Sequence, residues 1–217
     1  MATKSIRPRG PAADFPSSMA PDNPYNFPES LLAAGRLEPV VTEKYIFFFG
    51  YEGESPYVCF QQWFPAPFCA PLGNIGNEET IASDMHEFPT TEHYMMYRKA
   101  ILMGDSEVAQ KILDSPHPSA AKRLGREVKN FDLEKWTKNA DGVVEEGNWY
   151  KFSQNEDLEE VLLASGDKEI VEASPDDKIW GIGFKSDEAE GRESEWGNNG
   201  LGKALMKVRE RLRKGEK

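Results

Sequence analysis

At 217 residues, 39% of them hydrophobic, the chain is long enough to bury the core of one domain. Its net charge of −11 argues against a general nucleic-acid binder, whose affinity comes mainly from Lys and Arg displacing counterions from phosphates. Two cysteines, Cys59 and Cys69, without Cys-x-x-Cys spacing, and only His86, His93 and His117 argue against a disulfide framework and a zinc site, so no metal and no cofactor is expected.

Residues 1–40 hold seven of the fifteen prolines and little apolar periodicity, which predicts an extended or disordered leader before a single domain over 41–217. The run Tyr45-Ile46-Phe47-Phe48-Phe49 within Lys44–Tyr51 predicts a buried strand ended by Gly50. An aromatic, turn-rich loop over Ser55–Trp63 leads to a second strand, and the Pro, Gly and Asn of Pro65–Glu79 predict surface. Pro89-Thr90-Thr91 starts a helix, with Tyr94, Met95, Tyr97, Ile101 and Leu102 keeping one face apolar. Gly104 breaks it. Asp105 caps the next helix, which buries Val108, Ile112 and Leu113. A short helix over Ser119–Leu124 is closed by Gly125 as a left-handed cap, and Asp132 caps a helix carrying Trp136. After a loose Ala140-Asp141-Gly142, a long helix runs over Glu145–Ser165 to Gly166, with Lys151, Asn155, Leu158 and Leu162 on one face. Lys168–Ala173 and Ile179–Phe184 predict strands joined by the turn at Ser174-Pro175-Asp176-Asp177. Asn199-Gly200 opens a final helix with Leu201, Leu205, Val208 and Leu212 as its core stripe. The order predicts an α+β fold, a mostly helical single domain with a small number of short β-strands. The lack of an 18-residue apolar run and of a signal-peptide pattern predicts a soluble intracellular protein.

The helix after Pro89 carries Glu92 and Lys99 at i and i+7, which brings an acid and a base to one side about 10 Å apart along the axis. That arrangement suits a site. It equally suits a solvated face with Glu92 as a first-turn acid favoured by the helix dipole. Charge is uneven along the chain: Arg98–Lys138 has nine Lys/Arg against six Asp/Glu, and Ser153–Asn199 has four against fourteen. A phosphate-bearing ligand favours the first segment, although both read as ordinary surface on charge alone.

Several fragments fall in one order: Thr91–Met96 with Lys99-Ala100, Leu124-Gly125-Arg126, Trp136, Lys151–Asn155, Val171–Pro175, Ile179–Gly183 and Trp196–Gly202. Together they resemble the NADAR family, named for a link to NAD and ADP-ribose, over residues 45–212. The resemblance implies a mostly helical fold whose cleft cleaves a bond between ribose C1′ and nitrogen. Some members hydrolyse ribosylamino-pyrimidine intermediates of riboflavin synthesis, and others remove ADP-ribose from guanine in DNA. The family's carboxylate falls on Glu92 and its two functional tryptophans on Trp136 and Trp180. Read without the family, each tryptophan suits a core position as well.

This sequence departs from the pattern in two places. Riboflavin-linked members carry Trp-Gly-Asp-Gly where this chain has Trp180-Gly181-Ile182-Gly183, and many members read Ser-Pro-Phe-Ser-Asn-Phe where it has Ser55–Phe60. The missing acid weighs against a ribosylamino-pyrimidine substrate and the negative charge against DNA. ADP-ribosylated guanine is the first reading, the pyrimidine the second and a non-catalytic ADP-ribose reader the third. Both substrates attach ribose through an exocyclic amine that can open to an imine, which makes Lys99, then Lys151, a Schiff-base candidate. Base or ribose contacts are expected from Trp136, Trp180, Asn155 and Asn199. Phosphate contacts are expected from Arg98, Lys151 and the helix start at Gly200.

Overall fold

The computed structural model describes residues 38–73 and 85–216. Of the expected leader over 1–40, residues 1–37 lie outside the described part, as does 74–79 of the expected surface segment. A three-stranded sheet is ordered β1 (Val40–Val41), β2 (Tyr45–Phe48), β5 (Glu169–Glu172), with β1 antiparallel and β5 parallel to β2. All four β2 side chains are buried, as the aromatic run requires. A second, two-stranded antiparallel sheet pairs β3 (Phe68–Pro71) with β4 (Met85–Phe88).

Helix α1 (Thr91–Leu102) is the centre of the molecule. Thr90 caps it by accepting from the His93 N–H, and its first seven residues are all buried. A helix buried all round needs elements on every side. It packs on α2 (Ser106–Leu113), α3 (Pro118–Arg126), α4 (Leu133–Gln154) and β4. Helix α4 then packs on α7 (Gly200–Arg213), which lies against β5, while α5 (Glu156–Ala164) fills the space between α4 and α7. The short α6 (Ser186–Ala189) closes a smaller core of Tyr45, Phe47, Val171, Ala173, Ile182 and Ala189 on the other face of the sheet.

The α+β, mostly helical single domain stands as expected, with several corrections to its elements. Ser55–Trp63 is not all loop: it holds a 3-10 helix over Pro56–Phe60, capped by the Ser55 side chain accepting from Tyr57 N–H, and the strand that follows it is β3. Pro65–Glu79 is not all surface: Phe68 and Ala70 are buried in β3, because one face of the β3–β4 pair packs on α1 and α4. Gly125 is not a left-handed cap but a residue inside α3, where a Cβ would collide with the Met96 side chain. Tight approach of two helices, not a turn, explains that glycine. Helix α4 runs without interruption through Gly142, and the helical break falls at Asn155 instead. The reason is tertiary, since α4 is held along its length by α1 and α7. Ile179–Phe184 is not a strand. The chain there folds back on the end of β5, with Ile182 N–H donating to Glu172 C=O, and a Cβ at Gly181 would sit 2.9 Å from that carbonyl.

Candidate functional site

The loop Gln61–Trp63, the start of α1, the outer face of α3, the first turn of α4 and the segment after β5 enclose a cleft of about 460 Å³. Glu92 lines it from the first turn of α1 and is 5% exposed. Its position is set by backbone pairing, because Glu92 N–H and the Thr91 hydroxyl both donate to Gln62 C=O, at 3.1 Å each. Burial raises the Glu92 carboxyl above its ordinary range, against the pull of Lys122, the Trp63 indole, Arg126 and Lys99. Lys99 lies further along the same helix face, as the i, i+7 spacing implies, and also lines the cleft. Its Nζ donates to Gly125 C=O at 2.6 Å and lies 4.6 Å from the Phe131 ring centroid. Burial lowers its pKa, with Glu92 opposing that shift and Arg126 adding to it.

Trp136 and Trp180 both line this cleft, half-buried. Trp180 is held by the turn before it, where Asp177 Oδ1 accepts from the N–H groups of Ile179 and Trp180 at 2.7 and 2.8 Å. Behind it sits the start of α7, and a Cβ on Gly200 would lie 2.8 Å from the Trp180 ring.

The remaining candidates lie outside the lining. Arg98 pairs with Glu146 at 2.6 Å and donates to the Tyr94 hydroxyl. Lys151 is fully buried, its Nζ donating to Cys59 C=O and Gln61 C=O at 2.5 and 2.9 Å, and desolvation lowers its pKa to about 8. It therefore braces the loop that carries Gln61 and Gln62 into the cleft. Asn155 caps the end of α4 and donates to Lys151 C=O and Pro67 C=O. Asn199, left-handed at φ 49°, accepts from Glu172 N–H and donates to Ile170 C=O, so it holds β5 from behind. The N–H groups of Gly200 and Leu201 are taken by Ile179 C=O and Trp180 C=O at 3.1 Å each, which leaves them no outward donor for a phosphate.

Sequence reasoning missed Gln61, Gln62, Trp63, Lys122, Arg126 and Glu172, all of which line the cleft. Lys122 and Arg126 are four apart on α3, a spacing that puts both on one face, and this was a readable signal. Glu172 lay among the buried apolar residues Ile170, Val171 and Ala173, itself an oddity for an acid. Gln61 and Gln62 carried no pattern, because the loop that presents them is placed by Lys151 and α1. Ile182 is fully buried in the smaller core and does not line the cleft. No group of His, Cys, Asp or Glu side chains among the described residues is arranged to hold a metal ion, and none of their helices is long and apolar enough to cross a membrane.

Comparison with known proteins matches the NADAR domain over residues 47–213. Among curated relatives, N-glycosidase R617 of Acanthamoeba polyphaga mimivirus is 46% identical over 172 residues, 78% of this chain and 96% of that protein. Riboflavin biosynthesis protein VVA0006 of Vibrio vulnificus (strain YJ016) is 34% identical over 125 residues, 58% of this chain and 31% of that longer protein. The NMR structure of the E. coli protein YbiA superposes with a TM-score of 0.61 at 25% identity, covering 84% of this chain and 93% of YbiA.

Proposed function

The chain belongs to the NADAR domain family, and from that membership we propose that it is an N-glycosidase, a hydrolase that cleaves a ribose C1′–N bond, with a ribosylamino-pyrimidine phosphate as substrate. The observation that carries this reading is a single cleft that brings Glu92, two tryptophans and the cations Lys99, Lys122 and Arg126 together. The names of the mimivirus and Vibrio relatives support it. So does the burial of Ile182 in the smaller core, because an apolar residue there removes no group from the cleft.

Breaking an N-glycosidic bond builds positive charge on the ribose ring. Glu92 stabilises that charge and activates the attacking water. Trp136 and Trp180 hold the flat base, since aromatic stacking contributes roughly 1–3 kcal/mol per base. Lys122 and Arg126, with Lys99 beside them, receive the phosphate through charge-assisted hydrogen bonds. Lys99, its pKa lowered by burial, is the candidate for attack on the ring-opened imine.

A second reading keeps the reaction and takes ADP-ribosylated guanine as substrate. Its support is the number of cations in the lining, three, which matches a pyrophosphate better than a single phosphate. A non-catalytic ADP-ribose reader is disfavoured by Glu92, because a carboxylate buried beside the sugar adds nothing to binding an anion. The test is product release from a ribosylamino-pyrimidine phosphate and, in parallel, from an ADP-ribosylated guanine oligonucleotide, with wild type and Glu92→Ala. Turnover of the pyrimidine that vanishes in Glu92→Ala supports the first reading, and turnover of the oligonucleotide alone moves the assignment to the second. Tight ADP-ribose binding without turnover leaves the reader. Borohydride trapping tests the imine route separately, and absence of an adduct on Lys99 removes it.

A further inference from the structure

A second carboxylic acid lines the same cleft from another element. Glu172, the last residue of β5, is 7% exposed and faces a cavity that Glu92 enters from α1. Its environment differs from that of Glu92 in kind. Glu92 feels Lys122, the Trp63 indole, Arg126 and Lys99, each favouring its charged form. Glu172 Oε1 accepts from the Gln61 amide at 3.0 Å, and its buried Oε2 has no hydrogen-bond partner among the described residues. An ionised carboxylate with a buried, unpartnered oxygen costs far more than a protonated one. The charged groups that act on it come from each neighbouring element. Asp177 in the turn after β5 and Glu92 on α1 oppose its ionisation, while the Gln61 hydrogen bond and Lys122 on α3 favour it. Two carboxyls in one cleft with unlike surroundings divide into an acid and a base.

We propose that Glu172 is the general acid of the N-glycosidase reaction, donating its proton to the departing nitrogen while Glu92 acts as the base on water. The inference rests on the N-glycosidase reading. As the C1′–N bond breaks, its electron pair stays on nitrogen, which takes the Glu172 proton and leaves as the free amine. Water adds to C1′ and gives a proton to Glu92, leaving a C1′ hydroxyl, and proton return from Glu92 to Glu172 through solvent restores both groups. Desolvation first, and Asp177 and Glu92 with it, raise the Glu172 pKa to about 7, so the acid form is present at neutral pH and is lost as pH rises above it. Asn199 fixes the strand end by accepting from Glu172 N–H, and Lys151 fixes Gln61 through its carbonyl.

The experiment compares wild type, Glu172→Gln and Asp177→Asn on two probes across pH 5–9. One is a ribosylamino-pyrimidine 5′-phosphate. The other is 4-nitrophenyl β-ribofuranoside 5-phosphate, whose leaving group departs without a proton. Glu172→Gln is expected to slow the first probe about 10²- to 10³-fold, to slow the second less than about 10-fold, and to abolish the loss of activity above neutral pH. Asp177→Asn is expected to keep that alkaline limb and move it to lower pH. Wild-type rates on the amine probe in Glu172→Gln, or equal slowing of both probes with the limb retained, would overturn the inference while the N-glycosidase reading stands. A wild type that hydrolyses neither probe nor the ADP-ribosylated oligonucleotide overturns that reading, and the inference with it.

Discussion

Two buried carboxyls decide the chemistry at the residue scale, and each predicts a measurement. Glu172 has a folded-state pKa of about 7 against an ordinary 4.5, so the folded protein binds this proton more tightly than the unfolded chain. Its stability contribution is therefore unpenalised below about pH 4.5, erodes between 4.5 and 7, and is fully lost above 7. At 1.36 kcal/mol per unit the penalty is on the order of 3 kcal/mol. Urea melts of Glu172→Gln are expected to match wild type near pH 4.5 and to show a more stable protein at pH 8, a gap that an ionised, well-solvated Glu172 would not produce. Glu92→Gln keeps the shape of the site and removes the charge beside the ribose. A loss of kcat of about 10²-fold or more with little change in KM is expected, since the carboxylate acts on charge that develops only in the transition state.

Among the elements, α1 carries most of the site because its first turn is tied down twice, by the Thr90 cap and by Gln62 C=O. Thr90→Ala removes the cap and is expected to lower stability by about 1 kcal/mol in thermal or urea unfolding. The contact of α3 with α1 is closer than side chains allow at Gly125. Gly125→Ala drives a methyl group against Met96, which itself lines the cleft. We expect a destabilisation of about 1–3 kcal/mol and a raised KM, because the displaced Met96 side chain borders the cleft. A variant with lowered stability and unchanged KM would show that Met96 finds room elsewhere.

For the whole molecule, the net charge of −11 surrounds a cleft whose mouth carries Lys99, Lys122 and Arg126. Anionic small molecules meet local cations there, while a long polyanion meets the whole negative surface. Fluorescence anisotropy with an unmodified 20-mer oligonucleotide is expected to show no binding at physiological salt. Saturable binding that weakens steeply with salt would instead mean a phosphate-tracking surface and would favour the DNA substrate. The cleft lies where the larger core around α1 adjoins the sheet that carries the smaller core on its far face, and Glu172 ends the strand between them.

Legible in the sequence were the mostly helical fold, the β2 and β5 strands, the helix start at Pro89-Thr90-Thr91, the caps at Asp105 and Asp132, and the presence of Glu92, Lys99, Trp136 and Trp180 in one family pattern. These are local signals, readable from periodicity, capping chemistry and ordered motifs. Only the tertiary structure decided that Ile179–Phe184 folds back as a loop, that Gly142 stays helical and that Gly125 is a contact point. It also separated the cations, giving Lys122 and Arg126 to the cleft, Lys151 to the loop behind it and Arg98 to a pair with Glu146. The physical reason is that charge and spacing are properties of the chain, whereas burial and hydrogen-bond partners belong to neighbours far away in sequence. Glu172 shows this most plainly: its Oε1 accepts from Gln61, 111 residues earlier, and that distant pairing together with burial sets when it holds a proton.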